Sequence, residues 1–90
     1  MATQLLAVGT TAASSGDLVV AAGTPVTVAL KNTAAPVDSG ARVLIQLKDD
    51  AGAYSSIGEL NAYNLATVIA GPGTYRFTRS AGVACGVFSA

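Results

Sequence analysis

The chain has no histidine, no tryptophan and a single cysteine among its 90 residues, and only 11% of them are charged. Without histidine the Ser-His-Asp and Cys-His arrangements have no base, and most zinc sites lose a ligand. With Cys85 alone no intramolecular disulfide forms, so the stapled class of small extracellular domains is excluded. Cys85 has no cationic cluster near it in sequence and reads as a small buried hydrophobe, not a nucleophile. Charged residues usually make up about 25% of a soluble domain. Here five basic and five acidic side chains balance to zero. That balance removes the long-range field that draws proteins onto nucleic acid or anionic membrane, and neither partner is expected. No apolar run approaches the about 18 residues of a membrane helix. Met1 to Val8 has no basic residue and too short an apolar run for a secretory leader. The expectation is a protein made and kept in a cytoplasm, with no membrane span.

What is present is small and apolar: 51% of the residues are hydrophobic, alongside ten glycines. A domain of this length buries roughly two-thirds of its unfolded surface, enough for one core over residues 1–90 but not for a roomy catalytic cleft as well. So neutral a surface has weak protection against association, which makes a permanent protein partner the natural expectation.

Periodicity assigns the elements. Gly71-Pro72-Gly73 forces a turn, because proline fixes φ and lacks an N–H while glycine tolerates positive φ. Directly after it Tyr75 and Phe77 alternate with Thr74, Arg76 and Thr78, the period of two of a half-buried strand. Val26, Val28 and Leu30 share one face of an earlier strand, and Val43, Ile45 and Leu47 share one face of another, Arg42 to Lys48. Shorter strands are expected at Leu5 to Val8 and Asp17 to Ala21, with Thr10 to Gly16 and Asn32 to Gly40 as polar connections. Asp49 to Ala53 reads as a hairpin turn with Gly52 at positive φ. Tyr54, Ile57 and Leu60 are spaced by three, so the strand Tyr54 to Leu60 requires a bulge near Ser56 or Gly58. Leu65 to Ala70 and Val83 to Phe88 complete the set, the last with Val83, Cys85 and Val87 on one face. No segment carries a helical repeat, and turns recur about every 8 to 12 residues. The chain is therefore expected to be all-β, a two-sheet antiparallel sandwich. Ile69 to Phe77 resembles an immunoglobulin-like corner, with Tyr75 reaching back to bond backbone and Phe77 where antibody domains carry a cysteine. Immunoglobulin-like topology is the first expectation and a jelly roll the alternative.

Chemistry-bearing groups are sparse. Asp49 and Asp50 are adjacent in a turn and point apart, while Asp17, Asp38 and Glu59 are scattered, so no hydrolytic carboxylate pair is expected. No calcium-loop spacing surrounds Asp49, and Gly71 to Gly73 lacks the helix and Lys-Ser/Thr pair of a phosphate loop. No catalytic, metal or cofactor site is expected. Arg76 and Arg79 fall on opposite faces of one strand, each expected to pair with a carboxylate in this chain or across an interface. Contact residues are expected instead: Leu44, the one apolar residue on an otherwise polar strand face, Tyr54 and Tyr63 beside their turns, Arg76, Arg79, Phe88, and Leu5 with Leu6 near the N-terminus.

The segment Ala66-Thr67-Val68-Ile69-Ala70-Gly71-Pro72-Gly73-Thr74-Tyr75-Arg76-Phe77-Thr78-Arg79, followed by Ala81-Gly82-Val83 and Gly86-Val87, resembles the closing strands of small structural proteins of tailed bacteriophage particles. The likeness lies in the C-terminal half of the chain and carries no catalytic motif. It implies a virion protein that decorates or cements a capsid, with the major capsid protein or another virion protein as partner. A head-tail or tail component comes next. Homo-oligomerisation is expected, a trimer being one order suited to the three-fold axes of a shell. The rival from another class is a glycan- or cell-surface-binding module using Tyr54 or Tyr63 as a stacking platform.

Overall fold

Nine strands form where alternation and turn residues place them, in a computed structural model that describes residues 3–33, 37 and 39–90. They are β1 (Thr3–Gly9), β2 (Ala13–Ser14), β3 (Leu18–Val20), β4 (Val26–Lys31), β5 (Arg42–Lys48), β6 (Tyr54–Asn61), β7 (Ala66–Ile69), β8 (Gly73–Arg79) and β9 (Cys85–Ser89). Asp38 and residues 34–36 of the expected Asn32 to Gly40 connection lie outside the described residues. β2 falls inside the stretch expected to be a plain connection, because Ala13 and Ser14 pair with Arg79 and Thr78 at the end of β8.

The strands build two antiparallel sheets, one ordered β1-β9-β4-β7 and the other β2-β8-β5-β6 with β3 also on β8. β5 occupies one side of β8, so β2 and β3 share the other. Between them Ser15 keeps the ladder going: its N–H donates to the Phe77 carbonyl at 2.8 Å, and its hydroxyl accepts from the Phe77 N–H at 2.9 Å. β2 and β3 are thus one strand interrupted at Ser15 to Asp17. Counted that way, the first strand pairs with the last, the second with the seventh, the third with the sixth and the fourth with the fifth. This is a long hairpin rolled into two Greek keys, the strand order of a jelly roll.

The two-sheet antiparallel sandwich is as expected, and the finer choice falls to the second of the two topologies. An immunoglobulin-like sheet would hold the first two strands together. Here β1 lies beside the final strand and β2 lies in the opposite sheet. The corner itself is present, since the Tyr75 hydroxyl donates to the Gly71 carbonyl at 2.9 Å. A tyrosine after a Gly-Pro-Gly turn closes that turn whatever the topology around it.

The core lies between the sheets. Phe77, Leu60, Val28, Val43, Val87 and Cys85 are fully enclosed, and Leu30, Ile45, Ile69 and Tyr75 surround them. Each comes from the apolar face of an alternating strand, which is why the sheets close on each other. The bulge in β6 falls at Ile57, since Gly58 faces Ile45 while Ser56 faces Gln46 and Ile57 has no partner between them. β1 is also irregular, with register shifts on either side of Leu6. Its backbone crosses so close to Gly86 that a Cβ there would lie 2.5 Å from the Leu6 carbonyl oxygen.

Candidate interaction surface

The two outer faces of the sandwich differ in chemistry. Outward positions of the β2-β8-β5-β6 sheet alternate with its core positions and carry Arg42, Leu44, Gln46 and Lys48 from β5 and Thr74, Arg76 and Thr78 from β8. Gln46, Arg76 and Thr78 of this set are bonded to one another. The Arg76 Nε and Nη2 both donate to Gln46 Oε1, at 2.9 and 2.7 Å, and the Thr78 hydroxyl donates to the same oxygen at 3.0 Å. Arg76 also stacks on the Tyr54 ring, 3.7 Å from its centre. The Tyr54 hydroxyl donates to Asp17 Oδ1, and Lys48 Nζ stands 3.8 Å from Asp17 Oδ2. Tyr54 therefore lies across the sheet as a strap joining β6 to β8 and to the break between β2 and β3. The hydrogen bond to Asp17, followed by partial loss of solvent, holds its phenol above the usual tyrosine range. At the sheet's far edge Arg42 donates to Glu59 Oε1 at 2.6 Å and Asn61 Nδ2 donates to Glu59 Oε2 at 2.8 Å. The Asn61 bond first and Arg42 second hold the Glu59 carboxyl below its usual range.

The outer face of the other sheet is nearly free of charge. Gln4, Phe88, Ala29 and Ala66 form one row across β1, β9, β4 and β7, and Thr27 faces Val68 in another. Among these outward positions only Lys31 is charged, and its ammonium is bonded to the Gln4 amide oxygen.

The flanks differ as well. On one, β1 and the connection after it are closed by Arg79, which turns inward from the end of β8 and is 4% exposed. Its Nε donates to the Thr11 carbonyl, and its Nη1 to the Ala7 and Cys85 carbonyls, each at 2.7 Å. On the opposite flank the edge strands β6 and β7 leave a groove of about 300 Å³. Ile57 and Gly58 form one wall, Thr67 and Val68 the other, and Ile45, Ile69 and Tyr75 the floor. Two of the large apolar side chains that face solvent line the groove, Ile57 at 56% exposure and Val68 at 58%, and two more, Tyr63 at 91% and Leu65 at 48%, lie in the turn that joins β6 to β7. An apolar cluster of this kind, bordered by Glu59, Asn64 and Thr67, is suited to contact with another macromolecule.

The expected contact residues separate accordingly. Tyr63 is the one that belongs to this flank, at the tip of the Asn61 to Asn64 turn, where Asn61 Oδ1 accepts from the Tyr63 and Asn64 N–H groups. Phe88 is half-buried on the face that carries Lys31, and Leu44 half-buried on the polar face between Glu59 and Thr78. Tyr54 and Arg76 belong to the strap, and Leu5 packs half-buried against the core. Leu6 and Arg79 are corrected: both are buried, Leu6 because it faces Val87 inside the sandwich, Arg79 because it caps backbone carbonyls. Among the described residues neither arginine meets a carboxylate within the chain. A glutamine and an aromatic face hold Arg76, and main-chain oxygens hold Arg79. Asp49 accepts at one carboxylate oxygen from the Ala51 and Ala53 N–H groups, closing its own turn.

Sequence reasoning missed Ile57, Leu65 and Val68. The signals existed: Ile57 is the residue that broke the spacing of β6, and Val68 is the large member of the outward set on its strand. No family model matches the chain, and neither a curated protein nor a solved structure matches it.

Proposed function

We propose that this chain is a non-enzymatic structural protein of a tailed bacteriophage particle, a capsid decoration or cement protein that works through protein-protein contacts as a homo-oligomer. The observation that carries the reading is the exposure of Ile57 and Val68 on the groove between β6 and β7, with Tyr63 and Leu65 exposed in the turn joining those strands, next to a sheet face on which Lys31 is the only charge among the described residues. Burying apolar area yields roughly 25 cal/mol per Å², and here it comes without stripping water from many ions. The likeness of Ala66 to Arg79 to the closing strands of phage structural proteins points the same way, and it spans β7, the Gly-Pro-Gly turn and β8. The glycan-binding alternative rests on Tyr63 alone, because Arg76 covers the Tyr54 ring.

The test is which larger protein copurifies with the chain from infected cells, and in what ratio. One copy per major shell subunit, or one oligomer per symmetry axis, is the expected result. A handful of copies per particle would move the protein to the tail, and association with no virion component would overturn the proposal.

A further inference from the structure

We propose that the groove between β6 and β7 receives a second copy of this chain across a two-fold axis, with Ile57 of each copy seated in the groove of the other. The inference rests on the homo-oligomer reading above and names its surface and symmetry. Knob and hole lie on the same flank: Ile57 stands at 56% exposure on the rim of a groove of about 300 Å³ whose floor is Ile45, Ile69 and Tyr75. A surface that carries both halves of a contact side by side is self-complementary about a two-fold axis. A three-fold ring would need the two halves on different flanks.

Charge and area fit the same occupant. Glu59, the only ionised group among the described residues lining the groove, is paired with Arg42 at 2.6 Å, so two copies meet without like-charge repulsion. The flank as a whole, eight residues of β6 at roughly 3.3 Å each against a molecular thickness of 20 Å, presents a footprint of roughly 500 Å² per copy. Doubled, that reaches the about 1,000 Å² at which specific interfaces begin. Asn64, Thr67 and Glu59 supply a polar border to the apolar centre, as such interfaces have.

The edges are shaped against the other mode of pairing, strand addition. The Ile57 bulge kinks β6. Asn61 and Asn64 exchange both main-chain hydrogen bonds at 3.1 Å, and Asn64 Nδ2 donates to the Glu59 carbonyl at 3.0 Å, so the free side of β6 is occupied at that end. β7 offers four residues only. Bulges, caps and short edges discourage indiscriminate sheet extension. The apolar side chains are left to make the contact.

Sedimentation equilibrium of the purified chain tests this, with circular dichroism as the check on folding. The expected mass is twice that of one chain at tens of micromolar. Ile57→Glu, at an exposed position, is expected to keep the native spectrum and weaken the dimer roughly ten- to a hundredfold, the loss of one buried aliphatic side chain. Ala70→Trp fills the groove without adding charge and is expected to act in the same direction. Val19→Glu on the other flank is expected to leave the dimer intact. A monomeric or trimeric wild type, or a dimer indifferent to Ile57→Glu and Ala70→Trp, overturns the inference. Particle binding is read separately: a dimer that breaks as expected while no virion component binds leaves this surface standing and removes the decoration role.

Discussion

Arg79 is a cation enclosed by protein with no carboxylate against it among the described residues, and its charge is met by main-chain oxygens of Ala7, Thr11 and Cys85. Hydrogen bonds from a charged donor are worth about 1.5–3 kcal/mol each, and carbonyls left bare inside a fold cost about as much. Arg79→Ala is therefore expected to lower the unfolding free energy by about 3 kcal/mol or more in urea denaturation. Arg79→Lys restores only part of it, since a single ammonium cannot span three acceptors in the plane of a guanidinium. Gly9 sits against the same group: a Cβ there would lie 3.0 Å from Arg79 Nη2. Gly86 is constrained more severely, by backbone and not by the end of a side chain. Gly86→Ala should lower stability by about 1–3 kcal/mol, read from the shift in denaturation midpoint, because β1 must move to admit one methyl group.

At the scale of elements, the β2-β8-β5-β6 sheet is fastened on its outer face by Tyr54, and that fastening is sensitive to alkali. The folded chain holds the Tyr54 proton more tightly than the unfolded chain does. Its contribution is thus complete below the ordinary tyrosine value of about 10 and lost as pH rises through the higher folded value. Spectrophotometric titration should show a tyrosine ionising late, and Tyr54→Phe should abolish that late step. Glu59 behaves in the opposite sense. Its folded value is depressed, so its contribution is present above the ordinary glutamate value of about 4.3 and lost as pH falls through the folded one. Glu59→Gln should flatten the acid limb of the stability profile. These elements also mark how far the sequence could be read. The faces of β4, β5 and β8 follow from alternation, a property of neighbours in the chain, and the β6 bulge follows from a break in it. Arg79 falls on the inward set with Tyr75 and Phe77, yet its charge argued for the surface. Only the distant carbonyls of β1 and β9 make its burial tolerable, and no local pattern announces them. The groove is similarly hidden, because it depends on β6 and β7 ending up as edges on the same flank.

For the whole molecule, strand order dominates. Every sheet pairing except the β5–β6 hairpin joins segments distant in sequence, from β4 with β7 to β1 with β9. Loops must close before such contacts form, so refolding is expected on the millisecond-to-second scale of non-local β folds, measured by stopped-flow tyrosine fluorescence. A microsecond relaxation would contradict the topology.

The pairing of Thr3 with Ser89 brings the two ends of the described chain together on the edge of the sheet away from the groove. A short peptide joining Thr3 to Ser89 would close the segment 3–89 into a ring, which could then be reopened at the exposed Asp49 to Ala53 turn. Such a permuted form would carry its new ends, and any cargo fused to them, at a place far from Thr3 and Ser89.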